Sequence, residues 1–337
     1  MRKFLGYEKG INLGGWLSQC VHTVEHYESF ITEKDFEELA GWGIDHVRIP
    51  VDYDLLEDER GVATDYGLDY LKRAVDWCDK YHFNMVLDLH KTAGYSFDSG
   101  EGESGFFSDP ALQERFYKLW ERLAEAFGKY SDRIAFELLN EVVDQGDCAK
   151  WNEISEKCVR RIRAIAPDTY ILFGGYWNNS VEALPDLALP YDDKIVYNFH
   201  CYEPLVFTHQ GAYWVDGMPS DFRVKYGEIA DKAPAVQEKL TQHSGFVVDK
   251  SINAETFVEF FAKAVKVAEE RNVPLYCGEY GVIDLADVQS TLNWYKDIHA
   301  AFAKYGISRA AWSWKQMDFG LSDERMEPAA EEIKKYL

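Results

Sequence analysis

Two apolar runs, Ile134-Ala135-Phe136-Glu137-Leu138-Leu139-Asn140-Glu141 and Val273-Pro274-Leu275-Tyr276-Cys277-Gly278-Glu279, each close on a glutamate. Each reads as a buried strand that delivers a carboxylate at its C-terminal tip. One such glutamate alone fits a loop-capping role. Two, on strands of one repeating strand–helix pattern, point to a pair that faces a shared pocket.

The pattern extends along the whole chain. Further short, nearly continuous apolar runs lie at 11–13, 46–49, 84–90, 170–173, 194–202 and 310–314, and with 134–140 and 274–279 they make eight candidate strands. Such runs suit parallel strands buried on both faces. Helical patterns fall between them. Thr32 is an N-cap candidate for a helix reaching Gly41–Gly43, and Asp109-Pro110 places a cap before proline at the first helical position. Leu112, Phe116, Leu119, Leu123 and Phe127 then recur at steps of three and four, as one buried helix face requires. The segments 69–81, 151–165, 254–271 and 287–305 read similarly. Eight strands alternating with helices predict a (β/α)8 barrel, an α/β fold forming a single domain over 1–337. The chain is longer than a minimal barrel, and the excess is concentrated at 203–253, after strand six. This segment leaves from the end of a strand where barrel active sites lie, so it is expected to form an inserted subdomain over the cleft.

Composition narrows the function. The 337 residues carry a net charge of −22, from 36 basic and 58 acidic side chains. Phosphate backbones and anionic membranes are repelled by such a chain, so neither nucleic acid nor membrane is an expected partner. A neutral polysaccharide meets no such penalty, and 10 Trp, 21 Tyr and 20 Phe provide flat rings for sugar C–H faces. Cys20, Cys78, Cys148, Cys158, Cys201 and Cys277 form no CxxC pair or zinc-like cluster. The N-terminus has no apolar stretch of signal-peptide length. The chain by itself therefore reads as cytoplasmic, or as secreted if a leader has been removed. We expect a monomer.

The residues able to do chemistry gather at the ends of candidate strands. Arg48 is placed at the end of strand two, His90 of three, Asn140 and Glu141 of four, His200 and Tyr202 of six, Glu279 of seven, and Trp312 and Trp314 of eight. Scattered ionisable residues would not all fall on one end of a barrel. Two facing carboxylates are what glycosidic bond cleavage needs. Trp312 is expected in the pocket and Trp314 on the opposite side, in packing. Trp16 and Trp177 suit core and cleft equally, and His209 is within reach of a sugar. His46, His90 and His200 with nearby acids suggest a metal reading, but neither HxH nor HExxH spacing occurs. No metal or cofactor is expected.

With these motifs in order, the chain resembles glycoside hydrolase family 5, and within it the endoglucanase C type of cellulolytic clostridia. The resemblance rests on Gly-Ile-Asn-Leu-Gly-Gly-Trp (10–16), Asp-His-Val-Arg-Ile-Pro (45–50), Val-Leu-Asp-Leu-His (86–90), Ala-Phe-Glu-Leu-Leu-Asn-Glu-Val-Val (135–143), Ile-Val-Tyr-Asn-Phe-His (195–200), Phe-Thr-His-Gln (207–210), Leu-Tyr-Cys-Gly-Glu (275–279) and Lys-Gln-Met-Asp-Phe (315–319). It implies a general acid/base at Glu141 and a nucleophile at Glu279. Arg48, His90, Asn140, His200, Tyr202 and Trp312 are implied to line the sugar site beside the cleaved bond. The implied activity is retaining β-glycoside hydrolysis, foremost as an endo-β-1,4-glucanase on cellulosic or mixed-linkage β-glucan. β-Mannanase and exo-β-1,3-glucosidase are the alternatives within the class. An inactive carbohydrate-binding barrel is the alternative outside it, and the presence of both glutamates argues against that. The segments that depart from the family pattern are 203–253 and the loop 94–107.

Overall fold

The computed structural model describes residues 1–240, 246, 248 and 251–337. Eight parallel strands close into a barrel in sequence order: β1 (Lys9–Asn12), β2 (His46–Asp52), β3 (Asn84–Lys91), β4 (Ile134–Glu137), β5 (Ile171–Phe173), β6 (Ile195–Cys201), β7 (Leu275–Tyr280) and β8 (Ser308–Ala311), with β8 pairing back to β1. Every residue of β2, and every residue of β6 and β7, is buried, as expected for largely apolar parallel strands covered on both faces.

Helices cover the outside where the periodicity places them. The helix Pro110–Phe127 starts at Asp109, whose carboxylate accepts from the Ala111 amide at 2.8 Å. It buries Phe116, Leu119, Trp120, Leu123 and Phe127. Thr32 does begin a helix, Glu33–Leu39, through a reciprocal capping box with Asp35. That helix stops before Gly41. Two others begin earlier than the pattern suggested: Tyr66–Tyr81 and Cys148–Arg163.

Strand ends also depart from expectation, and the departures matter for the site. Arg48 is interior to β2, which continues to Asp52. β4 stops at Glu137, so Asn140 and Glu141 lie past its end. They are nevertheless held in place, because Leu138 donates to the Leu172 carbonyl at 3.0 Å and Asn140 to that of Leu89 at 3.0 Å. β8 likewise stops at Ala311, short of both tryptophans. Trp312 and Trp314 do face apart, but strand alternation is not the reason, since residues two apart in a strand share a face. They diverge because the chain has already left the strand. Trp314 turns outward to Trp42 and donates to Asp35 at 3.0 Å.

The long segment after β6 begins with a turn of helix, Leu205–Thr208, and continues as turns and short helices. Val206, Phe207, Tyr226, Ile229 and Ala233 are buried in the same hydrophobic cluster as the barrel. Positions 241–245, 247, 249 and 250 of this segment lie outside the described residues.

Trp120 links outer layer to site. It is fully buried, and its Nε1 donates to the Leu138 carbonyl at 2.9 Å, in the segment that carries Asn140 and Glu141. Trp120→Ala should lower unfolding stability by ~3–5 kcal/mol through the cavity it leaves. Trp120→Phe keeps most of the volume and should cost only the hydrogen bond, ~1–3 kcal/mol with the carbonyl unsatisfied. Urea denaturation of the two variants measures both losses, and equal losses would contradict the packing argument.

Candidate active site

A cavity of about 1010 Å³ opens at the C-terminal face of the barrel, lined by Glu141 and Glu279 among others. At its base lies Arg48, fully buried on β2. Its guanidinium grips Glu137 with two bonds, Nε to Oε2 at 2.7 Å and Nη2 to Oε1 at 2.8 Å. Nη1 donates to Asn12 Oδ1 at 2.9 Å and to Glu279 Oε1 at 2.8 Å. Nη2 also donates to Asn140 Oδ1 at 2.9 Å and lies 3.0 Å from Asp88 Oδ2. The amide oxygen of Asn140 is thus occupied, which leaves its amide nitrogen to line the cavity.

Glu279 has its oxygens held separately. Arg48 takes Oε1, and the Tyr202 hydroxyl donates to Oε2 at 2.9 Å. Burial, reinforced by the Glu279 charge, pushes the Tyr202 phenol well above its ordinary value, so it remains a donor. Glu141 sits in a different setting. Asn178 Nδ2 donates to its Oε2 at 2.7 Å, and His200 Nδ1 lies 2.7 Å from its Oε1. Burial pushes the Glu141 carboxyl up to about 7, against the opposing pull of the Asn178 bond and of His90 and Arg48. Burial also pushes His200 and His90 down to about 4, so both are neutral at neutral pH. Oxygens of the two glutamates lie within 4.8 Å of one another.

His90 is oriented by Asp88, whose Oδ2 lies 2.6 Å from Nδ1. Its other nitrogen, Nε2, lies 3.3 Å from Gln19 Oε1 at the cavity wall. Trp312 lies beside His90 with the rings nearly parallel, centroids 5.9 Å apart. Room for the indole comes from Gly14 in the first motif, where a Cβ would fall 2.7 Å from Trp312 Cη2.

All eight residues singled out from the sequence therefore converge: Arg48, His90, Asn140, Glu141, His200, Tyr202, Glu279 and Trp312. Trp177 and His209 also line the cavity, whereas Trp16 is core. His46 does not join His90 and His200. It bonds Asp45 at 2.6 Å and the Tyr276 hydroxyl at 2.9 Å, at the start of β2. Four contributors escaped the sequence reading: Asn12, Asp88, Glu137 and Asn178. The two acids had a signal, since each interrupts a buried apolar run and so needs a buried partner. Asn178 had none beyond an Asn-Asn pair; it sits in a turn where Trp177, Asn178 and Asn179 have φ of 51°, 57° and 56°.

A parallel (β/α)8 barrel with two close carboxylates at its C-terminal face, over an arginine, is the frame of a glycoside hydrolase. The family model for cellulase, glycosyl hydrolase family 5, matches residues 7–318. The chain is 46% identical to cellodextrinase A of Ruminococcus flavefaciens over 309 residues, covering 92% of this chain and 86% of that protein. It is 39% identical to endoglucanase C of Acetivibrio thermocellus over 336 residues, covering 98% and 97%. In fold it matches the cellulose synthase subunit Z of Clostridioides difficile with a TM-score of 0.78 at 24% identity, covering 98% of this chain and 99% of that one. The chain belongs to glycosyl hydrolase family 5, the cellulase family.

The raised carboxyl of Glu141 makes a stability prediction. The unfolded chain releases this proton near 4.5, whereas the folded protein holds it to about 7. Between those values the unfolded state binds fewer protons, so wild-type stability falls as pH rises through this window. Glu141→Gln does not titrate. It should therefore gain on wild type by ~3 kcal/mol between pH 4 and pH 8. Denaturant titrations at the two pH values test this, and a difference that stays flat or shrinks would contradict it.

Proposed function

We propose that the protein is a retaining endo-β-1,4-glucanase acting on β-glucan by double displacement, with Glu279 as nucleophile and Glu141 as general acid/base. The observation that carries this reading is the pair of carboxylates whose oxygens lie within 4.8 Å. That closeness fits the short carboxylate separation of a retaining pair, in which one carboxylate attacks the sugar directly. Family membership and the endoglucanase and cellodextrinase relatives support the substrate class.

In the first step a Glu279 oxygen attacks the anomeric carbon while Glu141 gives its proton to the departing glycosidic oxygen. Arg48 and Tyr202 hold the nucleophile, one on each oxygen, so its lone pairs are aimed rather than freely rotating. In the second step Glu141, now ionised, takes a proton from water, the water oxygen bonds to the anomeric carbon, and Glu279 leaves. The charge on Glu279 disappears in the intermediate, which favours ionised Glu141 just when a base is needed. Trp312 provides a flat floor for the sugar, Asn140 donates to its 2-hydroxyl, and neutral His90 and His200 serve further hydroxyls or Glu141.

Hydrolysis of mixed-linkage β-glucan and carboxymethyl cellulose, with reducing ends counted, tests the assignment. Glu141→Gln and Glu279→Gln should each lose about a hundred- to ten-thousandfold in kcat while remaining folded. Activity confined to mannan would overturn the substrate, retained activity in either variant would overturn the roles, and initial release of the α-anomer in a proton-NMR time course would overturn retention.

The pH profile provides a separate prediction. Activity should fall as pH rises through about 7, where Glu141 loses its proton. Asn178→Ala removes a bond that favours the charged carboxylate, so this alkaline limb should move to higher pH. A limb that stays in place or moves down would show that Asn178 does not tune Glu141.

A further inference from the structure

We propose that Tyr95 is a positioning residue for the acid/base: its hydroxyl fixes the backbone that presents Glu141, in the stretch where β4 has already ended. The inference rests on the acid/base reading of Glu141 above and adds to it the group that aims that carboxyl.

The first observation is where support is needed. β4 stops at Glu137, and the ladder-like bonds that continue it are made by the Leu138 and Asn140 amides. Glu141 comes next, and its carboxyl must stay placed against Glu279 through two protonation states. Displacing a reacting group by about 1 Å costs on the order of a hundredfold in rate. The Tyr95 hydroxyl bridges the stretch that follows Asn140. It donates to the Glu141 carbonyl at 2.7 Å and accepts from the Val143 amide at 2.9 Å. One oxygen thus ties both ends of a three-residue stretch whose first member is the acid/base. Burial raises the Tyr95 phenol, so it keeps the proton that it donates.

The second observation is that the bridged stretch also holds the amide partner of Glu141. The Val142 and Val143 carbonyls accept from the Asn178 and Trp177 amides at 2.9 and 3.1 Å. Asn178 Nδ2 then donates back to Glu141 Oε2 at 2.7 Å. Residues 141–143 are therefore bracketed by the Tyr95 hydroxyl and by the left-handed turn after β5. Glu141 is fixed at its backbone and at its carboxylate by one connected set of bonds, and removing the hydroxyl loosens both.

The third observation is that Tyr95 is itself held, and held outside the cavity. Tyr95 and Thr92 exchange backbone bonds at 2.8 and 3.1 Å, just past the end of β3. The Tyr95 ring stands edge to face with Phe107, centroids 5.2 Å apart, and lies 6.3 Å from fully buried Phe106. The neighbouring Gly94 amide donates to Glu103 Oε2 at 2.8 Å, and the Tyr53 hydroxyl donates to the other oxygen of that carboxylate at 2.7 Å. Glu141 lines the cavity and Tyr95 does not. A sugar in the cleft therefore meets Glu141 rather than Tyr95, and any effect of the hydroxyl on the reaction passes through the acid/base.

The experiment separates proton donation from general integrity by the leaving group. Departure of a sugar oxygen from cellotetraose needs the Glu141 proton, whereas 2,4-dinitrophenolate leaves its β-cellobioside as a stable anion without one. kcat/KM, which reports the first bond cleavage, is measured on both substrates for wild type, Tyr95→Phe and Glu141→Gln. Tyr95→Phe should lose about tenfold on cellotetraose and less than about twofold on the dinitrophenyl glycoside. Taking the ratio of the two substrates on one preparation cancels any loss of folded enzyme. Glu141→Gln should move the same ratio in the same direction and further. A ratio unchanged in Tyr95→Phe, with Glu141→Gln still discriminating, overturns the positioning role while the acid/base reading stands. If Glu141→Gln does not discriminate, or the wild type is inert on both substrates, that reading fails and the proposal with it. Phenylalanine keeps the ring and its packing, so a Tyr95→Phe chain that does not fold would show the hydroxyl supporting the fold at large, which also overturns the proposal.

Discussion

One guanidinium holds the reaction centre together. Arg48, on β2, reaches Asn12 at the end of β1, Asp88 on β3, Glu137 on β4, Asn140 just past β4 and Glu279 on β7. No lysine does this, because only the rigid planar fork offers several donors in fixed directions. The arrangement is also short of positive charge, with three buried carboxylates around one cation. Burial raises Asp88 to about 7 and raises Glu137 as well, in both cases against the attraction of Arg48. Full ionisation of the cluster is therefore costly near neutral pH. Such a network contributes little net stability compared with an apolar core, but removing its centre leaves buried charges without a partner. Its benefit is positional: it locks the ends of five chain segments relative to one another.

Because Arg48 is committed to the Glu279 side, the two glutamates acquire different characters from similar sequence contexts. Glu279 is gripped by a cation and a phenol. Glu141 has an amide and a neutral imidazole as its direct partners, and burial dominates its titration. Raising one of two neighbouring carboxyls by burial is how one site keeps a proton beside a second carboxylate. The separation depends on His200 staying neutral. An imidazolium 2.7 Å from Glu141 would favour its ionised form and remove the proton donor, and burial of His200 prevents that.

Much of this was legible in the sequence because the barrel imposes a simple rule. Strands buried on both faces must be continuously apolar, so a polar residue near the end of such a run declares itself, as His90, His200 and Glu279 do. The rule is weaker inside the run. Glu137 and Asp88 break apolar stretches just as Arg48 does, and reading those three together would have exposed the central network. The strand ends were less legible. β4 and β8 stop short of Glu141 and Trp312, since the chain keeps one or two ladder-like bonds after regular pairing ends, and composition does not distinguish the two states. Asn178 was invisible for another reason: it reaches Glu141 from a left-handed turn, a backbone feature with no hydrophobic period to betray it.

The same physics separates what the barrel decides from what its loops decide. Glu279 stands on β7 and Glu141 just past the end of β4, both held by ladder bonds and by the Arg48 network, so their placement follows from the barrel. Preference for polymer or short oligosaccharide depends instead on contacts distant from the cleaved bond, each worth a modest energy, summed along the cleft. Two segments supply the walls there. On one side, Phe97, Asp98 and Glu101 of the loop after β3 reach the cavity, with Glu101 tied to Lys91 at 2.6 Å and Lys91 to Asp52 at 3.2 Å. On the other, the segment after β6 brings Leu205, His209, Tyr213 and Trp214. One wall is built from ion pairs and the other from rings. A neutral sugar gains little from a charge already paired and more from an uncovered ring. Chain-length preference should therefore depend more on the β6 segment than on the β3 loop, and relatives sharing the same glutamates can differ in the substrates they favour.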